Sequence, residues 1–191
     1  MSAVKIVLII VVVVVALVGI GAGAFFYFLR GWDSEQLSKK DTLKPEVSKI
    51  VGRALIIYHP GAMAYTEEVA YGIGKALQAR GWEVHLDRAN SRAISDLSEF
   101  NLLCVGSPTY GGSPRPPIVN YINRCSNLEK KMCLVFATGF YDPDESNKKM
   151  QNLLEAKGGK VVSSLALFTK QKNQVDELTG EFVEKMMRQM I

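Results

Sequence analysis

Five short strand-like segments, four of them mainly apolar and all separated by other patterns, constrain this chain more than any other feature of its sequence. The segments are too short for buried helices and end in turn residues, so they are typical of buried strands. The stretch after the first segment opens with Thr66, Glu67 and Glu68, a hydroxyl and two acids that favour a helix start. Strands alternating with helices predict an α/β fold with a doubly wound parallel sheet and right-handed crossovers. The five predicted strands are Ala54–Tyr58, Glu83–Leu86, Leu102–Val105, Lys131–Thr138 and Val161–Phe168.

A long uncharged stretch, Ile6–Leu29, precedes this pattern and is flanked by Lys5 and Arg30. As a helix, its 24 residues would cover roughly 36 Å, enough to cross a hydrocarbon core of about 30 Å. A cleaved signal peptide is the alternative, because Ala22-Gly23-Ala24 resembles a cleavage site. Apolar residues continue beyond that point, so the stretch favours an uncleaved transmembrane helix.

The division of the chain and its orientation follow from this helix. We predict an anchor over residues 1–29, a polar tether over 30–52 and a folded domain over 53–191. Lys and Arg are more frequent on the C-terminal side of the stretch, which predicts a single-pass protein whose domain faces the cytoplasm. Gly19 and Gly23 have the spacing of a helix–helix contact, so dimerisation through them is a weaker expectation.

Charge and cysteine content exclude several classes of function. The formal net charge is +4, but the excess lies before Ala54 and the remainder is nearly neutral. A nucleic-acid partner is therefore not expected. The three cysteines form no C-x-x-C pair and the two histidines have no metal-ligand spacing, so no metal site is predicted.

The loop after the third strand is the strongest candidate for a binding site. It reads Gly106-Ser107-Pro108-Thr109-Tyr110-Gly111-Gly112-Ser113-Pro114. Its prolines restrict the backbone and its glycines permit unusual conformations, a combination suited to close contact with a flat ligand. Ligands of open α/β sheets bind beyond the carboxyl ends of the strands, where this loop lies.

From about residue 52 onward the chain resembles the flavodoxin family. The most specific part is the loop Gly106–Tyr110 followed by Arg115-Pro116-Pro117, which is similar to the second flavin loop of that family. Ala137–Tyr141 resembles the third flavin loop, and Gly61–Thr66 occupies the place of the phosphate loop. The resemblance implies strand order 2-1-3-4-5 and FMN as the cofactor.

The phosphate loop departs from the family pattern S/T-x-T-G-x-T. Here it reads Gly61-Ala62-Met63-Ala64-Tyr65-Thr66, and only the last hydroxyl is kept. Backbone amides at the helix start can still bind a dianion. The resemblance implies that Thr66 and the preceding amides hold the phosphate, and that Tyr110 or Tyr141 stacks on the ring. The expected cofactor-binding residues are Gly61, Ala62, Met63, Ala64, Tyr65, Thr66, Ser107, Pro108, Thr109, Tyr110, Gly111, Thr138, Gly139 and Tyr141.

Two functions remain open at this stage. The first is a membrane-anchored FMN-binding redox protein that passes electrons from a soluble donor to a membrane-associated acceptor. It would act as a simple electron carrier or as an FMN-dependent oxidoreductase such as a quinone reductase. The second is a flavodoxin-fold binding or scaffold module that has lost FMN, which the altered phosphate loop favours. No residue is assigned a catalytic acid or base role.

Overall fold

A computed structural model describes residues 11–23, 37–45, 47, 50–61 and 63–189. The chain divides into two compact units, Met1–Ser34 and Glu35–Ile191. In the first unit, residues 11–23 form helix α1, whose valine and leucine side chains are exposed. None of the helices within the described ranges has the length and apolar character that a membrane crossing requires. The remaining parts of the predicted anchor, residues 1–10 and 24–29, lie outside the described residues.

The second unit is built on a six-stranded sheet of order β1-β3-β2-β4-β5-β6. The five predicted strands are present, parallel, and in the predicted 2-1-3-4-5 order. The predicted strand count is nevertheless wrong, because an antiparallel edge strand is added. The strands are β1 Asp41–Leu43, β2 Gly52–Tyr58, β3 Trp82–Arg88, β4 Leu102–Pro108, β5 Met132–Gly139 and β6 Lys160–Phe168.

Strand β1 comes from the segment predicted to be a polar tether. Its backbone pairs with β3, where Thr42 lies opposite His85. Leu43 packs against the core, and the Tyr71 hydroxyl donates to Asp41 Oδ2 at 3.0 Å. Three residues with one apolar side chain carry too little periodicity to predict a strand, since most of their stabilisation comes from the sheet edge they cover.

Helices cover both faces of the sheet. The apolar residues of central strand β2 alternate between two cores, with Ile56 in one and Leu55 and Ile57 in the other. One core includes the buried sides of α2 and α5, and the other those of α3 and α4. The connection from β3 to β4, residues 89–101, is described throughout and contains no helix. The helices are α2 Tyr65–Gln78, α3 Pro116–Arg124, α4 Pro143–Ala156 and α5 Val175–Arg188, with a 3₁₀ helix Thr169–Gln174 before the last.

The three cysteines are free and buried. Cys104 and Cys133 lie in β4 and β5, as the apolar runs predicted. Burial raises the pKa of both thiols well above the ordinary value, which keeps them protonated and unreactive.

The sheet order reverses between β2 and β4, the neighbouring strands that begin crossovers in opposite directions. Gly106 lies near the end of β4 at this point, paired with Tyr58 of β2 and Phe136 of β5. A Cβ atom at Gly106 would lie 1.9 Å from the Phe136 ring, so the glycine is required by packing. The strand ends therefore form a crevice of the kind in which doubly wound sheets bind ligands.

Candidate functional site

A cavity of about 70 Å³ lies at the carboxyl ends of β2, β4 and β5. It is formed by the three loops that the sequence predicted to meet. Met63 and Phe140 at its border are largely exposed, so the cavity communicates with solvent. It is lined by Pro60, Gly61, Met63, Tyr65, Thr66, Pro108, Thr109, Tyr110, Thr138, Gly139, Phe140 and Thr169.

The first loop runs from β2 to the start of α2. The backbone N–H of His59 donates to the Gly106 carbonyl at 3.0 Å, and His59 Nδ1 accepts from the Gly61 N–H at 3.2 Å. Gly61 has a φ of +71°, and a Cβ there would lie 3.2 Å from Pro108. This turn therefore needs glycine both for its backbone conformation and for the close approach of the second loop.

Helix α2 starts without a side-chain cap among the described residues. Its N-cap is Ala64, in the left-handed region with a φ of +53°. The first backbone N–H groups of a helix have no partner within the helix, and the macrodipole places positive charge there. An uncapped start at the edge of the cavity is suited to bind an anion such as a phosphate.

The Thr66 hydroxyl, the single hydroxyl retained from the phosphate loop pattern, lies 2.7 Å from the Thr138 hydroxyl. Both residues are nearly fully buried, at 1% and 3% exposure. A hydroxyl carries one donor and two acceptor positions, so each threonine can bond the other and also a ligand. The pair links the first loop to the third across the cavity.

Side-chain bonds hold the second loop in shape. Ser107 Oγ accepts from the Arg115 backbone N–H at 2.8 Å and donates to the Pro108 carbonyl at 2.9 Å. The Thr109 backbone N–H donates to the Thr138 carbonyl at 2.7 Å. The Arg115 guanidinium lies 4.7 Å from the centre of the Tyr110 ring, which orients that ring at the cavity.

Thr109 Oγ1 is buried and has no hydrogen-bond partner within the described structure. It lines the cavity. Leaving a buried hydroxyl unpaired costs about 1–3 kcal/mol, so such a group points to a ligand that satisfies it.

Most of the predicted residues are brought together. Nine of the predicted site residues line the cavity. Ser107 lies behind it, fully buried, while Ala64 borders the neighbouring cleft. Gly111 is exposed and Ala62 lies outside the described residues. Tyr141 is 86% exposed and does not line the cavity, whereas its neighbour Phe140 does.

Sequence reasoning missed Pro60, Phe140 and Thr169. Pro60 and Phe140 lie inside the loops already identified, but the sequence did not indicate that their side chains face the cavity. Thr169 follows β6 and gave no signal, because the loop after the last strand has no motif. Beside it, the Tyr65 hydroxyl donates to the Phe168 carbonyl at 3.2 Å, and burial with the nearby Glu68 raises the pKa of Tyr65 to about 12.

The residues present fit FMN. The uncapped start of α2 and the Thr66 hydroxyl are suited to the phosphate, and the unpaired Thr109 hydroxyl to a polar edge of the ring. Aromatic side chains of Tyr110 and Phe140 flank the same cavity. None of these groups is an acid or base with an ordinary pKa near neutrality, so the arrangement is suited to binding and orienting a cofactor that carries its own chemistry.

Comparison with solved structures shows the same fold. The chain is similar to Flavodoxin 2 from Bacillus cereus, with a TM-score of 0.63, 22% identity, and coverage of 72% of this chain and 99% of that one. It is also similar to a flavodoxin from the domain Archaea, with a TM-score of 0.60, 18% identity, and coverage of 71% and 99%. A flavodoxin from Streptococcus pneumonia TIGR4 gives a TM-score of 0.59, 20% identity, and coverage of 72% and 98%.

No curated protein sequence matches the chain. A family model described as a flavodoxin domain matches residues 56–191, which is most of the chain and includes all three loops. The chain therefore belongs to the flavodoxin family, whose cofactor is FMN.

Proposed function

We propose that this chain is a membrane-anchored, FMN-binding redox protein that transfers electrons between a soluble donor and a membrane-associated acceptor, such as a quinone. The observation that carries the redox part is the convergence of three loops on one cavity at the switch point of the sheet. Its unpaired Thr109 hydroxyl and uncapped helix start are groups that a bound flavin would satisfy.

The chain's own residues would bind and orient the cofactor. Thr66 and the first amides of α2 would hold the phosphate, and Thr109 would donate to the ring. Tyr110, braced by Arg115, would limit the ring's contact with water. Bound FMN supplies the one- and two-electron redox chemistry, while the protein sets its binding and surroundings.

The first test is the visible absorption and fluorescence of the purified full chain, in detergent, before and after incubation with FMN and removal of free ligand. We expect flavin absorption to remain with the protein and its fluorescence to be quenched. A colourless protein that ignores added FMN would contradict the proposal. It would favour a binding module without FMN, the second function to which the altered phosphate loop points.

The membrane part of the proposal rests on the uncharged stretch Ile6–Leu29. In a membrane fraction, the full chain should resist alkaline extraction, and a Val13→Asp, Leu17→Lys variant should be released. Reduced protein should be reoxidised by a short-chain quinone faster than free reduced FMN is. Extraction of the unaltered chain at alkaline pH would contradict the membrane anchor. Equal reoxidation rates for the protein and for free reduced FMN would contradict a quinone as the acceptor.

A further inference from the structure

The first turn of α2 carries two acids directly after Thr66. Glu67 is largely buried and Glu68 is exposed. Acids in the first turn favour the helix because they complement its dipole. They also repel any dianion bound at the same helix start, so a phosphate site here requires compensation.

Two cations hold Glu67. Lys39 Nζ forms an ion pair with Glu67 Oε1, and Arg88 Nη2 lies 2.7 Å from Glu67 Oε2. The Glu67 side chain is only 12% exposed. Burial disfavours its charged form, but the hydrogen bonds from Lys39 and Arg88 outweigh burial and lower the pKa of Glu67 below its ordinary value.

A third cation pairs with the second acid. Lys172 Nζ lies 2.9 Å from Glu68 Oε1. Lys172 belongs to the 3₁₀ helix whose first residue, Thr169, lines the candidate cavity. Lys39, Lys172 and both acids border one cleft of about 470 Å³ together with the N-cap residue Ala64.

Lys39 is held in place by its backbone as well as by its charge. Its N–H donates to Asp87 Oδ1 at 2.9 Å, and the preceding Ser38 hydroxyl donates to the same carboxylate, also at 2.9 Å. Strand β1 begins two residues later and pairs with β3. The sheet edge therefore fixes this cation close to the start of α2.

We propose that Lys39, Arg88 and Lys172 are specificity residues for the phosphate group of FMN. Both acids are paired with cations, and the Asp87 carboxylate accepts from the Lys39 N–H, so the cations offset the acidic groups at the start of α2. With the acids offset, the helix start can bind a dianion although the phosphate loop has lost hydroxyl donors. This inference rests on the proposed FMN site and adds how the chain selects FMN over riboflavin, which lacks the phosphate.

The test is the ratio of FMN to riboflavin affinity, measured by fluorescence quenching with the full chain at low salt. Lys39→Gln should lower this ratio by about threefold to tenfold, since it removes a charge near a dianion. Glu67→Gln should raise the ratio, because the same cations then face one acid fewer. Lys39→Arg should keep the ratio, and riboflavin affinity should change little in all three variants.

Lys160→Gln is the matched control, because it removes the same charge at the exposed amino end of β6, the opposite edge of the sheet. It should leave the ratio unchanged. If breaking the ion pair acted only through structure, Lys39→Gln and Glu67→Gln would shift the ratio in the same direction, and the proposal would be overturned. Equal affinity of the unaltered chain for the two flavins would also overturn it, whereas binding of neither flavin would contradict the proposed function itself.

Discussion

Replacing the two hydroxyls that join the first and third loops separates their roles in folding and in cofactor binding. Thr66→Val leaves the Thr138 hydroxyl buried, at 3% exposure, without its partner at 2.7 Å. An orphaned buried hydroxyl costs about 1–3 kcal/mol, so we expect the free energy of unfolding of the FMN-free protein to fall by that amount. Thr138→Val should cost about the same.

The double variant Thr66→Val, Thr138→Val should be close to the unaltered protein in stability. Replacing both partners by apolar groups of the same shape leaves no unsatisfied group, so the two losses should not add. Urea unfolding of all four proteins gives the coupling free energy. Strictly additive losses would show that the two hydroxyls are not paired.

FMN affinity should follow a different pattern. Thr66→Val should weaken FMN binding by about tenfold to hundredfold, as expected for one lost hydrogen bond to a charged group. Because the phosphate contact is lost in the double variant too, its affinity should stay low although its stability is restored. If the double variant regained full affinity for FMN, the role assigned to Thr66 at the phosphate would be refuted.

Three further outcomes test the site and the fold around it. Gly106→Ala should lower the free energy of unfolding by about 1–3 kcal/mol, measured in urea, because its Cβ would overlap the Phe136 ring; adding Phe136→Leu should recover part of the loss. Acidification should remove the stability that Glu67 contributes. Because the pKa of Glu67 is lowered in the folded state, its charge stabilises the fold above about pH 4.3, and this contribution is lost as the pH falls through the folded-state pKa. Glu67→Gln should flatten that part of a curve of unfolding free energy against pH. Tyr110→Leu should weaken FMN and riboflavin binding equally, by about tenfold, in a fluorescence titration, since the ring contact is common to both.

The central strands β2, β4 and β5 were predictable because they are buried on both faces. Short continuous apolar runs such as Leu102–Val105 and Met132–Ala137 are typical of such strands. The edge strand β1 was not predictable, since its stabilisation comes from pairing with β3 and from distant partners such as Tyr71. The residues of β1 themselves indicate neither the pairing with β3 nor the contact with Tyr71.

The site was predictable where a loop has its own chemistry. Pro108 to Tyr110 carries proline and aromatic signals at a strand end, and the structure places these residues at the cavity. The direction of a side chain in an exposed pair such as Phe140 and Tyr141 depends on backbone torsions that neither residue type determines. The partners of Glu67 lie far from it in sequence, Lys39 by 28 positions and Arg88 by 21, so no local pattern predicts these ion pairs.

The ion pairs also affect how the two candidate functions can be told apart. A fragment that begins at residue 52 lacks β1 and Lys39, so one cation at the start of α2 would be missing and Glu67 would keep only Arg88. We expect this fragment to bind FMN about tenfold more weakly than residues 35–191, the second compact unit. A colourless short fragment would then imitate a protein that has lost its cofactor.

The longer fragment carrying Lys39→Gln separates the charge from the strand. If charge alone matters, its FMN affinity should match that of the short fragment while its urea midpoint stays higher, because β1 still covers the edge of β3. Equal FMN affinity of the short and long fragments would show that residues 35–51 do not contribute to the site. Either result decides why a truncated protein would fail to bind FMN: because its phosphate loop is altered, or because the segment that carries Lys39 has been removed.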